Sequence, residues 1–446
     1  MMKYISIGLT GPDLLSLKHQ SIELYSINRC IVLPAIGQSA DRSIKDLDQP
    51  IAIIEPNKII HISALDNHLK LQGDNLNLKQ SLTSIIVKPD SAPLFIRLAR
   101  KDSPVRAYNG NLTIRADTNY IRLTLECLLE EYVLSVLHSE IPGSYHLEAI
   151  KAQAITARTY ALNPRIDHRP DHCQVCDSYL CCQSFTGELA TKNERLKLAI
   201  DQTLGQVIAY KDKPILALFS SCAGGHTENY ESCFSDPITN IFPPQPIPYL
   251  RGVSESLINS ETTALMNEQA LQRLWHSNNQ KTDDAWSPHF KWSLKLASEA
   301  LDANMHHTVE TMLAQKDIAP FVIPPKSGLF GIIESFAIDK RGVGGTGISM
   351  TIVTSHGSWC FQKELVIRSV FKNSEVRLSR LKSARIYFEH ERDTHGGLKQ
   401  LLIYGLGWGH GVGLQQTGAQ GLASLQNKNY REILEHYFTR IELSKI

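Results

Sequence analysis

The sequence predicts an α+β protein, with strands gathered at the front of the chain and helices following them. Three observations carry this expectation. Short β-type runs, Gln49–Glu55, Lys58–Ser63 and Ser84–Val87, are punctuated by Asp, Asn and Pro. Asn111–Ile114 and Tyr120–Leu125 then read as strands around a turn. Immediately afterwards Leu128, Leu129, Tyr132, Val133, Val136 and Leu137 recur in pairs every four residues, the mark of an amphipathic helix ending near His138. The texture changes at Val105, so residues 1–104 are read as a small β-rich N-terminal region and 105–446 as a second domain.

Ser144, after Ile141, Pro142 and Gly143, suits the N-cap of a second helix. Leu147, Ile150, Ala154, Ala157 and Ala161 give that helix one buried stripe, and its alanines suit close packing. Leu198–Tyr210 and Lys213–Phe219 read as a helix end followed by two strands. Pro243, Pro244, Pro246 and Pro248 keep their segment extended. Helical patterns return at Thr262–His276 and Ala297–Met305, and a last helix covers Arg431–Phe438. Gly331–Ile338 and Gly347–Val353 flank the cluster Gly342–Gly347, which lacks the Gly-Lys-Ser/Thr of a phosphate loop and reads as a hairpin turn.

Bulk properties narrow the partners. Apolar residues make up 42% and charged ones 20% of 446, a globular composition with room for two or three domains. Lys and Arg total 46 against 45 Asp and Glu, so no basic footprint for nucleic acid exists. No apolar run reaches the ~18 residues of a membrane span. Lys3 is followed by Gly11, Pro12 and Asp13 rather than an apolar stretch, so no signal-peptide pattern is evident. Six of the nine cysteines fall between Cys173 and Cys233. Such clustering suits a metal site better than a spread disulfide framework.

Four segments carry chemistry. Glu140 follows the first helix, whose negative dipole end disfavours a second negative charge and so favours a protonated general acid. A solvated helix-end residue is the plainer alternative. Lys151 and Arg158 are seven apart on the second helix, on nearly one face. Phe219-Ser-Ser-Cys-Ala-Gly-Gly225 holds Ser220 and Ser221 but no nucleophile elbow. In Gly405-Leu-Gly-Trp-Gly-His-Gly-Val-Gly413 alternate glycines let backbone approach a ligand or a strand closely. There Trp408 offers a stacking platform and His410 a hydrogen-bonding partner, or else a buried Trp and a satisfied His. His168, His172, Cys173, Cys176, Cys181 and Cys182 suit a tetrahedral zinc, with free thiols or a disulfide as alternatives.

These motifs resemble, in order, those of the stage II sporulation protein D (SpoIID) and amidase-enhancer family. The family pattern Glu-Met-Pro, then Glu-Ala-Leu-Lys-Ala-Gln-Ala-Val-Ala-Ala-Arg-Thr-Tyr-Ala, is matched by Glu140-Ile-Pro and Glu148–Ala161. Its Phe-Ser-Ser-x-x-Gly-Gly-x-Thr is matched from Phe219, and Pro248-Tyr-Leu comes after it. Its Gly-Trp-Gly-His-Gly-Val-Gly-Met-Ser-Gln-x-Gly-Ala is matched from Gly407, with Leu414 and Gln415 replacing Met and Ser. Where many members read Cys-Asp-Thr-Thr-His-Cys-Gln, this chain has Cys176-Asp-Ser-Tyr-Leu-Cys-Cys-Gln183, one residue longer.

The resemblance implies a two-lobed α+β core with a deep cleft. It makes Glu140 catalytic and Lys151, Gln153, Arg158, Ser220, Ser221, Trp408, His410 and Gln416 substrate contacts. It implies a structural zinc held by Cys176, Cys181, Cys182 and His172, with His168 as the other choice of histidine. The implied reaction is lytic cleavage of the β-1,4 bond between N-acetylmuramic acid (MurNAc) and N-acetylglucosamine in strands stripped of stem peptides. An N-acetylmuramoyl-L-alanine amidase is the implied partner, and the cell envelope or periplasm the implied location. The alternative is a non-catalytic glycan-binding activator of that amidase. A zinc amidase fits poorly, because a sulfur-rich site is closed.

Overall fold

Strand Tyr120–Leu128 is the spine of the first sheet in a computed structural model of the chain. Its Ile121, Leu123, Leu125 and Cys127 are buried and the residues between them are not, the period of two that a half-buried strand requires. The structure describes residues 3–35, 49–73, 82–91, 93–98, 105–163, 166–187, 193–256, 267–277, 281–373 and 376–446. It divides into two compact units, Met1–Val207 with Ser444–Ile446, and Ile208–Leu443.

In the first unit Tyr4–Leu9 lies antiparallel to this spine, with Ile7 opposite Leu125. Asn111–Asp117 lies on its other side, with Ile114 opposite Leu123. Ser84–Pro89, Cys30–Pro34 and Ala52–Ile54 continue the sheet, and Val175–Cys176 joins its far edge parallel to Tyr4–Leu9. A second sheet orders Arg106–Tyr108, Leu94–Leu98, Ser21–Ser26, Ile60–Leu65 and His68–Gln72. The first hundred residues are β-rich as expected. Their sheets also include later strands: Arg106–Tyr108 pairs with Leu94–Leu98 across residues 99–104, which lie outside the described set. The compact division therefore falls at Val207 rather than at the textural change near Val105.

The spine runs straight into helix α1 (Leu129–Glu140), which buries Leu129, Tyr132, Val133, Val136 and Leu137 as their spacing predicts. It continues two residues beyond His138, so Glu140 is its last residue. Helix α2 (Leu147–Ala161) is capped by His146, not by Ser144. The chain between them turns with Tyr145 N–H on the Pro142 carbonyl at 3.0 Å, and the His146 ring accepts the Glu148 N–H at 3.3 Å. From Ala149 to Ala161 nearly every α2 residue is buried, which the small alanine side chains permit. Helix α3 (Glu194–Gln202) is capped by Asn193.

In the second unit, Ile333–Arg341 and Gly347–Thr354 form the expected hairpin, extended by Gly357–Gln362. Leu398–Leu406 lies between Lys291–Ala297 and Ile386–Arg392 in another sheet. Phe336, Ile352, Trp359, Phe361 and Ile403 share one core with residues of helices Ser298–Leu313 and Glu364–Val370. Of the helical pattern Thr262–His276, Glu268–His276 is helical; residues 257–266 lie outside the described set. Among the described residues no helix is long and apolar enough to cross a membrane.

One ion pair holds α2 against α1. Arg158 is fully buried and forks onto Glu130, Nε to Oε1 at 2.9 Å and Nη2 to Oε2 at 2.6 Å, while Nη1 donates to the Gln206 carbonyl at 3.1 Å. Breaking one side of such a pair leaves the other charge uncompensated. Glu130 keeps some solvent, which screens part of that cost. Arg158→Met is expected to cost roughly 2–4 kcal/mol in urea unfolding, with part recovered in the Glu130→Gln/Arg158→Met double variant. An unchanged midpoint would contradict this account of the pair.

Candidate functional site

Glu140 is held from one side by the chain that comes after the cysteines. The Ser184 N–H donates to Glu140 Oε1 at 2.8 Å. Neighbours of Ser184 lock that stretch of chain onto α1 and α2. Gln183 is fully buried, and its Nε2 donates to the Tyr132 hydroxyl at 3.0 Å and the Ala157 carbonyl at 3.3 Å. Phe185 stacks on Tyr132 with ring centroids 5.3 Å apart, and Thr186 N–H donates to Ser135 Oγ at 3.3 Å. The carboxyl thus has a fixed direction at a helix end, as a positioned acid requires.

Upstream of Ser184 lies the His/Cys cluster. The ligand atoms of His168, Cys176, Cys181 and Cys182 all lie within 4.8 Å of one another. His168 Nε2 is 3.2 Å from Cys182 Sγ and 3.4 Å from Cys181 Sγ. Bonds of ~2.0–2.3 Å to a tetrahedral ion put ligand atoms about 3.5–3.8 Å apart, so the donors need only small shifts to hold one. Hydrogen bonds from Cys176 and Cys181 hold the Cys182 thiol far below its usual range, and the matching contacts push Cys176 up. Burial opposes a charge on His168, but contacts with Cys173, Cys181 and Cys182 outweigh it and push the imidazole up to about 12.

This corrects the expected ligand set. His172 is exposed, with φ at +57°, and is not in the cluster; His168 fills that place. The short 3-10 helix Ile166–Asp171 carries His168 inward and the turn after it leads His172 away. The cluster is also fastened to the N-terminal strand. Asp177 N–H donates to the Gly8 carbonyl at 3.1 Å, and Asp177 Oδ1 accepts the Thr10 N–H at 2.9 Å and hydroxyl at 2.6 Å.

The polar residues of α2 do not form the expected glycan-facing row. Arg158 is consumed by Glu130, and Gln153 is fully buried. Lys151 pairs with Glu148 at 2.6 Å, one helical turn back. Lys151 and Arg158 share a face of the helix, but α1 covers the Arg158 end of it.

In the second unit the Phe219–Gly225 turn and the glycine loop clasp each other. Cys222 and Trp408 exchange backbone hydrogen bonds of 3.1 and 2.9 Å. Ser220 Oγ donates to Gln415 Oε1 and accepts the Gly411 N–H, both at 3.1 Å. Gly409, at φ +105°, lets the loop pass where a Cβ would lie 2.6 Å from Ser220 Cβ. The Ser221 carbonyl accepts the Thr417 N–H and hydroxyl, each at 3.0 Å. Gln416 is buried in the first turn of helix Gln416–Gln426. His410 is turned into its own loop: Nδ1 accepts the Val412 N–H at 3.0 Å, and the ring bonds the Phe219 backbone. Burial, then the charge of Arg368, pulls it down to about 4, so it is neutral. Ser220, Gln416 and His410 build the loop; Trp408, 41% exposed, is the residue it presents.

Two buried carboxylates that sequence reasoning passed over hold this architecture. Asp284 accepts the Gly224 and Gly225 N–H groups at 2.7 and 3.0 Å. Glu228 accepts Gly344 and Thr346 N–H at 3.0 and 3.4 Å, and a Cβ on Gly342 would sit 2.4 Å from its carboxyl. Burial pushes Glu228 up, while Arg385, which also donates to the Gly344 carbonyl, and three backbone N–H groups pull the other way. The cluster Gly342–Gly347 is a turn wrapped on a carboxylate. An acidic residue directly after Gly-Gly-His-Thr was the available signal.

Known proteins share these segments. Residues 118–210 match the family model of the stage II sporulation protein, SpoIID, and residues 236–413 match a domain of unknown function, DUF8618. An uncharacterised protein of Brachyspira hyodysenteriae is 26% identical over 336 residues, covering 75% of this chain and 72% of its own. Stage II sporulation protein D of Bacillus amyloliquefaciens is 25% identical over 71% of this chain and 74% of its own. The amidase enhancer of Bacillus subtilis is 25% identical over 68% of this chain, which spans 39% of that longer protein.

The ligand geometry is open to test. Metal analysis of purified protein is expected to find about one ion per chain, with His168→Ala losing it and His172→Ala keeping it. Loss with His172→Ala and retention with His168→Ala would overturn this reading of the cluster.

Proposed function

The chain belongs to the SpoIID and amidase-enhancer family, and from that premise we propose that it is a lytic transglycosylase of denuded cell-wall glycan, with Glu140 as its acid. A cell-wall role follows from the family; the reaction rests on one observation. Glu140 stands at the end of α1 with Oε1 fixed by the Ser184 N–H, while the two carboxylates nearest the matched motifs in the sequence are engaged elsewhere. Glu148 pairs with Lys151, and Asp177 binds Thr10. A retaining hydrolase needs a second carboxylate about 5 Å from the first, and an inverting one a base at about 6.5–9.5 Å. Neither residue is free for that work.

A single acid suffices when the sugar supplies the nucleophile. Glu140 protonates the glycosidic oxygen as its bond to the anomeric carbon breaks. The 6-hydroxyl of the same MurNAc closes on that carbon and returns its proton to Glu140. No water is consumed, and the product ends in 1,6-anhydro-MurNAc. Trp408 offers a sugar its ring, held rigidly by the Cys222 backbone on one side and the glycine loop on the other. The ion at His168, Cys176, Cys181 and Cys182 is proposed to be zinc. Four protein ligands would leave such an ion no open position, and its contribution would be to hold residues 176–186 in place. The substrate places the protein at the cell envelope, beside the amidase that strips the strands.

Glu140→Gln keeps the shape and removes the transferable proton. It is expected to retain binding to denuded strands and lose turnover by at least about a hundredfold. Near-normal turnover would remove Glu140 from this role. Binding without turnover in the unaltered chain, with stimulation of an added amidase, would instead establish the non-catalytic activator.

A further inference from the structure

Trp408 does not stand alone. The Lys382 ammonium lies over its ring, 5.1 Å from the centroid, and the His289 ring meets its edge with centroids 4.5 Å apart. All three positions are fixed by backbone. The Lys382 carbonyl accepts the Gly409 N–H at 2.9 Å, directly after Trp408. The Gly407 N–H donates to the carbonyl of Phe290, next to His289, at 2.9 Å, and the Gly407 carbonyl accepts Trp292 Nε1, also at 2.9 Å. Among the described residues no carboxylate pairs with Lys382; its side-chain contact is the indole. Burial, then the Lys382 charge, pulls the His289 imidazole down, so Lys382 is the cation of the group.

An indole with a lysine anchored next to it by its backbone, the ammonium resting over the ring, suits a ligand that has a stackable face and an acid on one rim. A plain amino sugar has only the face. MurNAc carries a lactyl ether whose carboxyl is an amide while the stem peptide is attached and a free carboxylate once the peptide is gone. Resting on the proposed glycan reading, we infer that Lys382 is a specificity-determining residue that reads this free lactyl carboxylate on a MurNAc stacked against Trp408. A charge-assisted hydrogen bond to a carboxylate is stronger than the contact of an ammonium with an exposed ring. Lys382 therefore exchanges the indole for the acid when a denuded sugar arrives. Against an intact strand it meets a neutral amide with a peptide behind it and gains nothing. Selection for stripped strands then comes from one charge.

The test measures binding, in the Glu140→Gln background to prevent turnover. Soluble denuded glycan fragments are compared with the same fragments after carbodiimide coupling to methylamine, which neutralises the lactyl carboxylate and leaves the sugars intact. Titration by calorimetry is expected to show about tenfold or greater preference for the acid form, weakened by salt. Lys382→Gln is expected to bring the ratio of the two affinities near one, and Lys382→Arg to restore it. A ratio near one before any change at Lys382, or one that Lys382→Gln leaves intact, overturns the assignment while glycan binding stands. Failure of every variant to bind either form overturns the glycan reading, and the assignment with it.

Discussion

The hydrogen bond from Ser184 N–H to Glu140 is the constraint on which the candidate chemistry depends. Residues 176–186, which carry Ser184, are fastened along their length. At one end Asp177 is bound to Thr10 and Gly8 of the first strand, so the N-terminal sheet is part of the support. In the middle the four-ligand cluster closes the loop on itself. At the other end Gln183 and Phe185 are laid into the surface between α1 and α2. A catalytic group displaced by about 1 Å can lose a hundredfold in rate. In the proposed reading, an ion at this cluster would act on the chemistry without touching substrate, by holding this segment still.

Buried charge obeys the same logic in both units. Arg158, Glu228 and Asp284 lie in the interior, and each is saturated by partners that belong to a neighbouring segment. A buried charge left unpaired is costly, so each becomes a joint that fixes which segments meet. In the second unit the partners are backbone N–H groups of glycine turns, which explains why the chain is glycine-rich at 224–225 and 342–347 without any phosphate to bind.

How much of this the sequence disclosed depended on range. Local patterns were legible: the stripe of α1, the strand at Tyr120–Leu125, which the structure extends to Leu128, and the hairpin flanking Gly342–Gly347. The order of the three motifs pointed to the family. Hidden were relations between distant residues. Nothing near Ile7 states that it will lie opposite Leu125, so the N-terminal strands read as a separate region. Arg158 was read on one face with Lys151, open to a cleft, but Glu130, twenty-eight residues earlier, is what it meets. Choosing His168 over His172 required the turn of a short helix, which Pro170 and the positive φ of His172 create and which spacing alone leaves open. The resemblance made His410 a substrate contact, whereas in the structure its Nδ1 accepts the Val412 N–H of its own loop.

The central claim is that the sugar's own hydroxyl, not water, completes the reaction begun by Glu140. Mass spectrometry of the products from denuded strands digested in ¹⁸O-labelled water tests it most directly. The account predicts 1,6-anhydro-MurNAc ends without label. Reducing ends carrying ¹⁸O would mean hydrolysis, and would contradict the single-acid mechanism.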